Sequence, residues 1–181
     1  MASPVKPKWR PLTANEIRMA QTVFADAIDY AKVKIYRGIP FLPPLKLAVS
    51  PNGHIYFPKH DCPPDFTLAG AYYMVWLIHE LTHVWQHQNG YRTWLGGACL
   101  SLRGGYLKRR AYRYGTPDKI SCFSRLNMEQ QADFLAHYFA ARYLHWPQYQ
   151  AHLPDFQAAL SRFQNNPCDV FLLPTYLRKR K

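Results

Sequence analysis

An α+β domain, mostly helical with a small β-hairpin, is what this sequence predicts, and three observations predict it. A long apolar helix covers about Thr67 to Gln88, and a second periodic helix covers about Met128 to His145. Before them, two short β-prone runs flank an Asn-Gly step. With 181 residues, 48% hydrophobic and 15% aromatic, the chain suits a folded globule with its own core. Residues 1–181 read as one domain, with 1–11 a flexible Pro-rich lead-in and about 175–181 a flexible basic tail.

The elements follow in order. Thr13-Ala14-Asn15-Glu16 is a capping-box pattern opening a helix to about Lys32, and Ile17, Ala20, Val23, Phe24, Ala27, Ile28 and Ala31 mark its buried face. Lys32 to Arg37 alternates and predicts a short strand. Leu45 to Val49 and His54 to Phe57 are joined by Ser50-Pro51-Asn52-Gly53, which predicts the hairpin. A Pro-rich loop, Pro58 to Pro64, leads to the Thr67 to Gln88 helix, which Asn89-Gly90 stops. That helix is apolar on nearly every side, so it belongs in the middle of the domain. Residues 91–127 hold Gly96-Gly97, Gly104-Gly105 and Gly115 with no sustained period, and read as a long excursion with at most short elements. Trp146-Pro147 ends the helix from Met128, and a shorter helix covers about Asp155 to Phe163.

Composition narrows the function classes. No uncharged apolar run reaches the roughly 18 residues of a membrane span, and Met1 to Pro11 lacks the apolar segment of a secretory signal peptide. Lys and Arg number 23 against 11 Asp and Glu, giving +12, an excess that favours an anionic partner or surface. Part of that charge clusters at Arg103, Lys108, Arg109, Arg110 and Arg113, and part at Arg178-Lys179-Arg180-Lys181. Cys62, Cys99, Cys122 and Cys168 form no C-x-x-C pair, so a structural zinc knuckle is not expected, and the sequence alone does not pair them.

The chemistry is carried by His79-Glu80-Leu81-Thr82-His83. Four residues of helix put both imidazoles on one face, about 6 Å apart along the axis, where two neutral nitrogens can meet one metal ion. Glu80, beside the first histidine, can accept a proton from a water that the metal polarises. Random orderings of this composition would contain H-E-x-x-H in roughly half a percent of cases. Burying two imidazoles and a carboxylate on so apolar a helix would also cost several kcal/mol unless a metal and its water satisfied them. His87 lies roughly 12 Å along the axis from His79, too far to share the ion. Glu129, opening the second strong helix, is the better third ligand, its bland alternative being a first-turn carboxylate on the helix dipole. Asp133, one turn on, is placed to hydrogen-bond a ligand histidine's distal nitrogen. His137 reads equally as a site neighbour or a core histidine, and Tyr112, Tyr114, His137 and Tyr138 are unranked candidates to stabilise an oxyanion.

His79-Glu80-Leu81-Thr82-His83-Val84-Trp85-Gln86, followed by Asn127-Met128-Glu129-Gln130-Gln131-Ala132, resembles the zinc metallopeptidase effector domains of bacterial type VI secretion. These occur at the C-termini of VgrG spike proteins, in Rhs-type toxins and as stand-alone proteins. Arg10 to Glu16, Phe24 to Ala31 and the Ser50-Pro51-Asn52-Gly53 turn are similar as well, so the resemblance runs from about residue 10 to 145. It implies a zincin-like, gluzincin-type fold, with Zn2+ held by His79, His83 and Glu129 and with Glu80 as general base. It further implies a toxin made in the cytoplasm, then secreted and delivered to a target cell's periplasm or a host cell. Its expected partners are a protein or peptide substrate, a secretion spike and an immunity protein. The positive charge suits an anionic envelope surface, and nucleic acid is not an expected partner. The alternative is a nucleic-acid-associated zinc protein, or a protease recruited through the Arg103 to Arg113 patch.

Overall fold

The computed structural model describes residues 8–39 and 47–175. The proposed lead-in lies mostly outside them, as do Leu45, Lys46 and the Arg178 to Lys181 cluster. Strand β1 (Trp9–Pro11) precedes helix α1 (Ala14–Phe24), and strands β2 (Lys34–Arg37) and β3 (Ile55–Phe57) follow. The chain then runs through helices α2 (Ala71–Gln88), α3 (Thr93–Leu102), α4 (Met128–Tyr143), α5 (Pro147–Gln150) and α6 (Leu153–Asn165). The predicted mostly helical α+β class holds. No helix among the described residues is long and apolar enough to cross a membrane.

The Thr13 capping box forms: the Thr13 hydroxyl accepts from the Glu16 amide at 3.1 Å, and the Glu16 carboxylate accepts from the Thr13 amide at 2.8 Å. Helix α1 nevertheless stops at Phe24 rather than near Lys32, with Ala25 at φ 45°. Asp26 and Asp29 account for the early end, because carboxylates at a helix C-terminus oppose its dipole. Ala27 and Ile28 are still buried, now from a turn.

The predicted hairpin is reduced to one antiparallel bridge, Val49 with Tyr56, with backbone bonds of 3.1 and 3.0 Å. Strand β3 instead pairs parallel to β2, Ile35 opposite Ile55, while β1 pairs antiparallel to β2 on its other side. Local chemistry diverts the turn. Pro51 has no N–H to extend a ladder, its carbonyl accepts from the Thr93 hydroxyl at 2.8 Å, and the Ser50 hydroxyl is drawn to Glu80. The segment after Val49 is thereby tied to the helices.

Helix α3, 10 residues long, corrects the reading of residues 91–127 as a long excursion with at most short elements. Its composition, Thr-Trp-Leu-Gly-Gly-Ala-Cys-Leu-Ser-Leu, has no charged residue and two glycines, so it carries no helical period. Gly96 is required there by packing, since a Cβ would sit 2.7 Å from both the Met128 sulfur and the Tyr91 hydroxyl. The remainder, to Leu126, consists of short 3-10 turns. Helix α4 begins at Met128 as expected, capped by Asn127, whose side chain accepts from the Glu129 and Gln130 amides.

Helices α2 and α4 pack along their lengths in the centre of the domain. Trp85, Phe134, Phe156 and Phe163 are fully buried around them, and the Trp85 indole donates to the Pro167 carbonyl at 2.7 Å. All four cysteines are free thiols.

Candidate metal centre

The α2–α4 contact brings the sequence-predicted residues together. Nε2 of His79 and Nε2 of His83 lie 3.4 and 3.2 Å from Oε2 of Glu129. The three ligand atoms all fall within 4.8 Å of one another. His83 and Glu129 are buried, and His79 is nearly so.

Each side chain is aimed by a partner behind it. Nδ1 of His79 is 2.8 Å from Asp133 Oδ1, the contact expected from the spacing along α4. Nδ1 of His83 is 2.9 Å from the side-chain Oε1 of Gln86. The Gln86 amide donates to Gln131 at 3.0 Å and to the Met128 carbonyl at 3.1 Å. Gln131 in turn donates to the carbonyls of Phe123 and Leu172. The Tyr106 hydroxyl donates to Oε1 of Glu129 at 2.8 Å.

This network fixes the protons. Asp133 and the Gln86 oxygen can only accept, so both rings carry hydrogen on Nδ1 and turn Nε2 inward. In the neutral rings, two imidazole lone pairs and a carboxylate oxygen then face one another, an arrangement that needs a positive charge among them. Proton affinities show the same need. Burial opposes charge on His79, but hydrogen bonds to the Asp133 and Glu129 carboxylates outweigh it and the imidazole is pushed up to about 10. His83 is likewise raised, burial being overcome by the Glu129 charge and hydrogen bond. Burial would raise the Glu129 carboxyl, yet the two imidazoles hold it well below the usual carboxylate range. The residues therefore fit a cation, and two nitrogens with one carboxylate oxygen is a zinc-like donor set.

Glu80 projects beside this cluster and is 3% exposed. Its Oε2 accepts from the Ser50 hydroxyl at 2.8 Å, a contact made by the bridge segment that the Pro51 turn ties down. His79 and Glu80 separate two cavities. One of about 430 Å3 is mainly apolar, lined by Val49, Pro51, Trp94, Ala98 and Met128 among others. The other, of about 480 Å3, is walled by Trp76, Arg109, Tyr112, Trp146 and Tyr149. Tyr112 lines both cavities, and burial together with the Glu129 and Glu80 charges raises its phenol, keeping it a proton donor.

The other singled-out residues are dispersed. His87 lies away from the centre, with Asn52, Gly53 and His54 around a separate cavity. The Tyr138 hydroxyl accepts from Gln164 at 2.9 Å, towards α6. Tyr114 and His137 bond each other at 2.6 Å, and burial lowers the His137 imidazole to about 4. Neutral His137 thus accepts from the Tyr114 hydroxyl while its ring stacks on Tyr149 at 4.1 Å. Sequence reasoning missed Ser50, Gln86, Tyr106 and Gln131 as site residues. Gln86, one turn after His83 minus a residue, was recoverable from helical spacing; Ser50 and Tyr106 lie in segments without a period.

A His-His-Glu cluster held on two helices, with the Glu80 carboxylate alongside in a cleft, is an arrangement that could hold a metal ion. No family model matches the chain. Over 134 residues it is 37% identical to the type VI secretion system spike protein VgrG2b of Pseudomonas aeruginosa, a match spanning 72% of this chain and 13% of that protein. The solved effector domain of Pseudomonas aeruginosa VgrG2b is 33% identical, with a TM-score of 0.66 over 91% of this chain and 87% of that one. The chain belongs to the family of that type VI secretion effector domain.

Proposed function

We propose that the chain is a zinc metallopeptidase effector, delivered by a type VI secretion spike to cleave amide bonds in a target cell's envelope or proteins. The observation that carries the reading is the inward-facing Nε2–Nε2–Oε2 cluster with Glu80 unligated at its edge. His79, His83 and Glu129 would hold the metal. When bound, zinc supplies a Lewis acid that polarises a carbonyl and lowers the pKa of a water to about 7.

Glu80, held by the Ser50 hydroxyl, accepts the proton of the attacking water and returns it to the leaving amine. Tyr112, a protonated phenol on the border between the two cavities, donates towards the oxygen that gains charge. Asp133 and Gln86 keep the imidazoles in register, and Tyr106 holds the carboxylate. The apolar cavity takes an uncharged side chain on one side of the scissile bond. The spike relation supports delivery on, or fused to, such a spike, and a producing cell exposed to the toxin would need an immunity protein.

The test is Glu80→Gln measured for both metal content and activity. The variant is expected to keep about one zinc per chain while hydrolysis, or toxicity on periplasmic expression, falls by about 10²- to 10⁴-fold. Parent-like activity in Glu80→Gln would remove the peptidase reading even with zinc bound.

A further inference from the structure

Between Glu80 and Asp118 the chain contains no acidic residue, yet Arg92, Arg103, Lys108, Arg109, Arg110 and Arg113 all fall in that interval. All six are exposed. In their midst α3 carries no charge along its whole length and is covered on one side only. Gly96 packs against Met128 and Tyr91, and Gly97, Ala98 and Ser101 face the apolar cavity. Trp94, at the rim of that cavity, is 59% exposed, and Leu102 is 88% exposed. A tight turn, in which the Gly105 amide donates to the Leu100 carbonyl at 2.8 Å, folds the following loop back onto this helix. Leu107, 70% exposed, and the exposed cations at 108–110 follow within a few residues of that contact.

We infer that this α3–loop surface, Trp94 to Arg113, docks on an anionic phospholipid membrane. Charge complementarity supports this: the five cations of that stretch, with no carboxylate between them in sequence, attract acidic headgroups, an attraction that decays within a Debye length of the surface. The second support is the aliphatic pair. Leu102 and Leu107 offer nothing to phosphates or bases, whereas a bilayer interface takes apolar side chains and cations together. Trp94 adds the amphipathic ring favoured at headgroup depth. Trp94, Ala98, Ser101 and Tyr106 also line the apolar cavity, so the docking surface is the lip of the cleft. A membrane seated there would hold the cleft at the bilayer face, where substrates anchored in or lying on the membrane are concentrated.

Sedimentation of the full chain with vesicles tests this without reference to hydrolysis. Vesicles of about one-third phosphatidylglycerol in phosphatidylcholine are expected to bind it at physiological salt, and phosphatidylcholine alone is not. Leu102→Ser/Leu107→Ser, which keeps every charge, should weaken binding by about ten-fold or more. Lys108→Gln/Arg110→Gln should weaken it by about ten-fold, and raised salt should weaken the parent. Neither pair contributes a buried side chain, and melting curves like the parent's establish that both variants fold. Absence of binding to the phosphatidylglycerol vesicles would overturn the inference. So would parent-like binding by the leucine variant, which would assign the attraction to overall charge, the Arg178 to Lys181 cluster included. Duplex DNA bound more tightly than vesicles, lost in the Lys108/Arg110 variant and kept in the leucine variant, would assign the surface to nucleic acid instead.

Discussion

Glu16 and Glu129 are both buried carboxylates, 0% and 5% exposed, and they are satisfied in different ways. Glu16, at the corner of β1 and α1, accepts two bonds from the Arg10 guanidinium at 2.8 and 2.7 Å. The backbone amides of Thr13 and Phe66 add two more. Its charge is thus met by a cation from the chain, and the corner is complete. Glu129, between α2 and α4, has a phenol on one oxygen and two inward imidazole nitrogens at the other. Among those partners only a proton shared by the rings supplies positive charge. The difference separates a structural ion pair from a cluster that could hold an ion.

Stability measured with and without metal is the strongest way to break that comparison. Glu16→Gln leaves the part-buried Arg10 beside a neutral group and should cost about 3 kcal/mol whether or not zinc is present. Glu129→Gln should instead erase the stabilisation that zinc gives the parent, about 2.7 kcal/mol at a free concentration a hundred times its Kd. Urea melts of the three proteins, with zinc and with chelator, check both expectations. If zinc stabilises parent and Glu129→Gln alike, the centre is not where it binds.

Asp133 sharpens the comparison at a smaller scale. Its carboxylate is 2.8 Å from His79 Nδ1, so Asp133→Asn keeps the size of the side chain and removes the charge that strengthens the imidazole as a donor to metal. Zinc release to a competing chelator should speed or deepen by about 10- to 100-fold, with the fold retained and a smaller loss than for Glu129→Ala. Release indistinguishable from the parent would reduce Asp133 to an ordinary helix carboxylate.

The parts of the molecule legible in the sequence are those where one periodic element carries the information. His79, Glu80 and His83 share a helix face, and Glu129 and Asp133 share another, so spacing alone related each set. What spacing could not give was the meeting of separate segments. Ser50 reaches Glu80 because Pro51 ends the β ladder, and Tyr106 reaches Glu129 because the chain turns back at Gly104-Gly105. Helix α3 was illegible for a related reason: half-exposed and uncharged, with glycine where it touches Met128, it has neither an amphipathic period nor good intrinsic propensity. The Asn52-Gly53 step was misleading. It does form a turn, with the His54 amide donating to the Asn52 side chain at 3.3 Å, but strand pairing passed to β2.

His137 shares α4 with Glu129 and Asp133 and, unlike His79, is held neutral. Burial lowers it to about 4 from an ordinary 6.5, the nearby Asp133 charge pulling the other way and the His79 and Arg109 charges assisting. The Tyr114 hydroxyl donates to its Nδ1 and needs the neutral ring as acceptor. The unfolded chain therefore binds a proton between pH 6.5 and about 4 that the folded chain does not, and this residue's linkage lowers stability as pH falls through that window. Above pH 6.5 the effect is absent, and below about 4 it has saturated. His79, raised to about 10, has the reverse sign: its contribution in the metal-free chain is present below 6.5 and lost as pH rises towards 10. The two are separated by subtracting the melts of His137→Gln from those of the parent at each pH. Glutamine offers an acceptor to Tyr114 and does not titrate, so the difference should be flat above pH 6.5 and should shift in favour of the variant down to about pH 4. A difference that stays flat across that window would show that His137 takes up its proton in the fold.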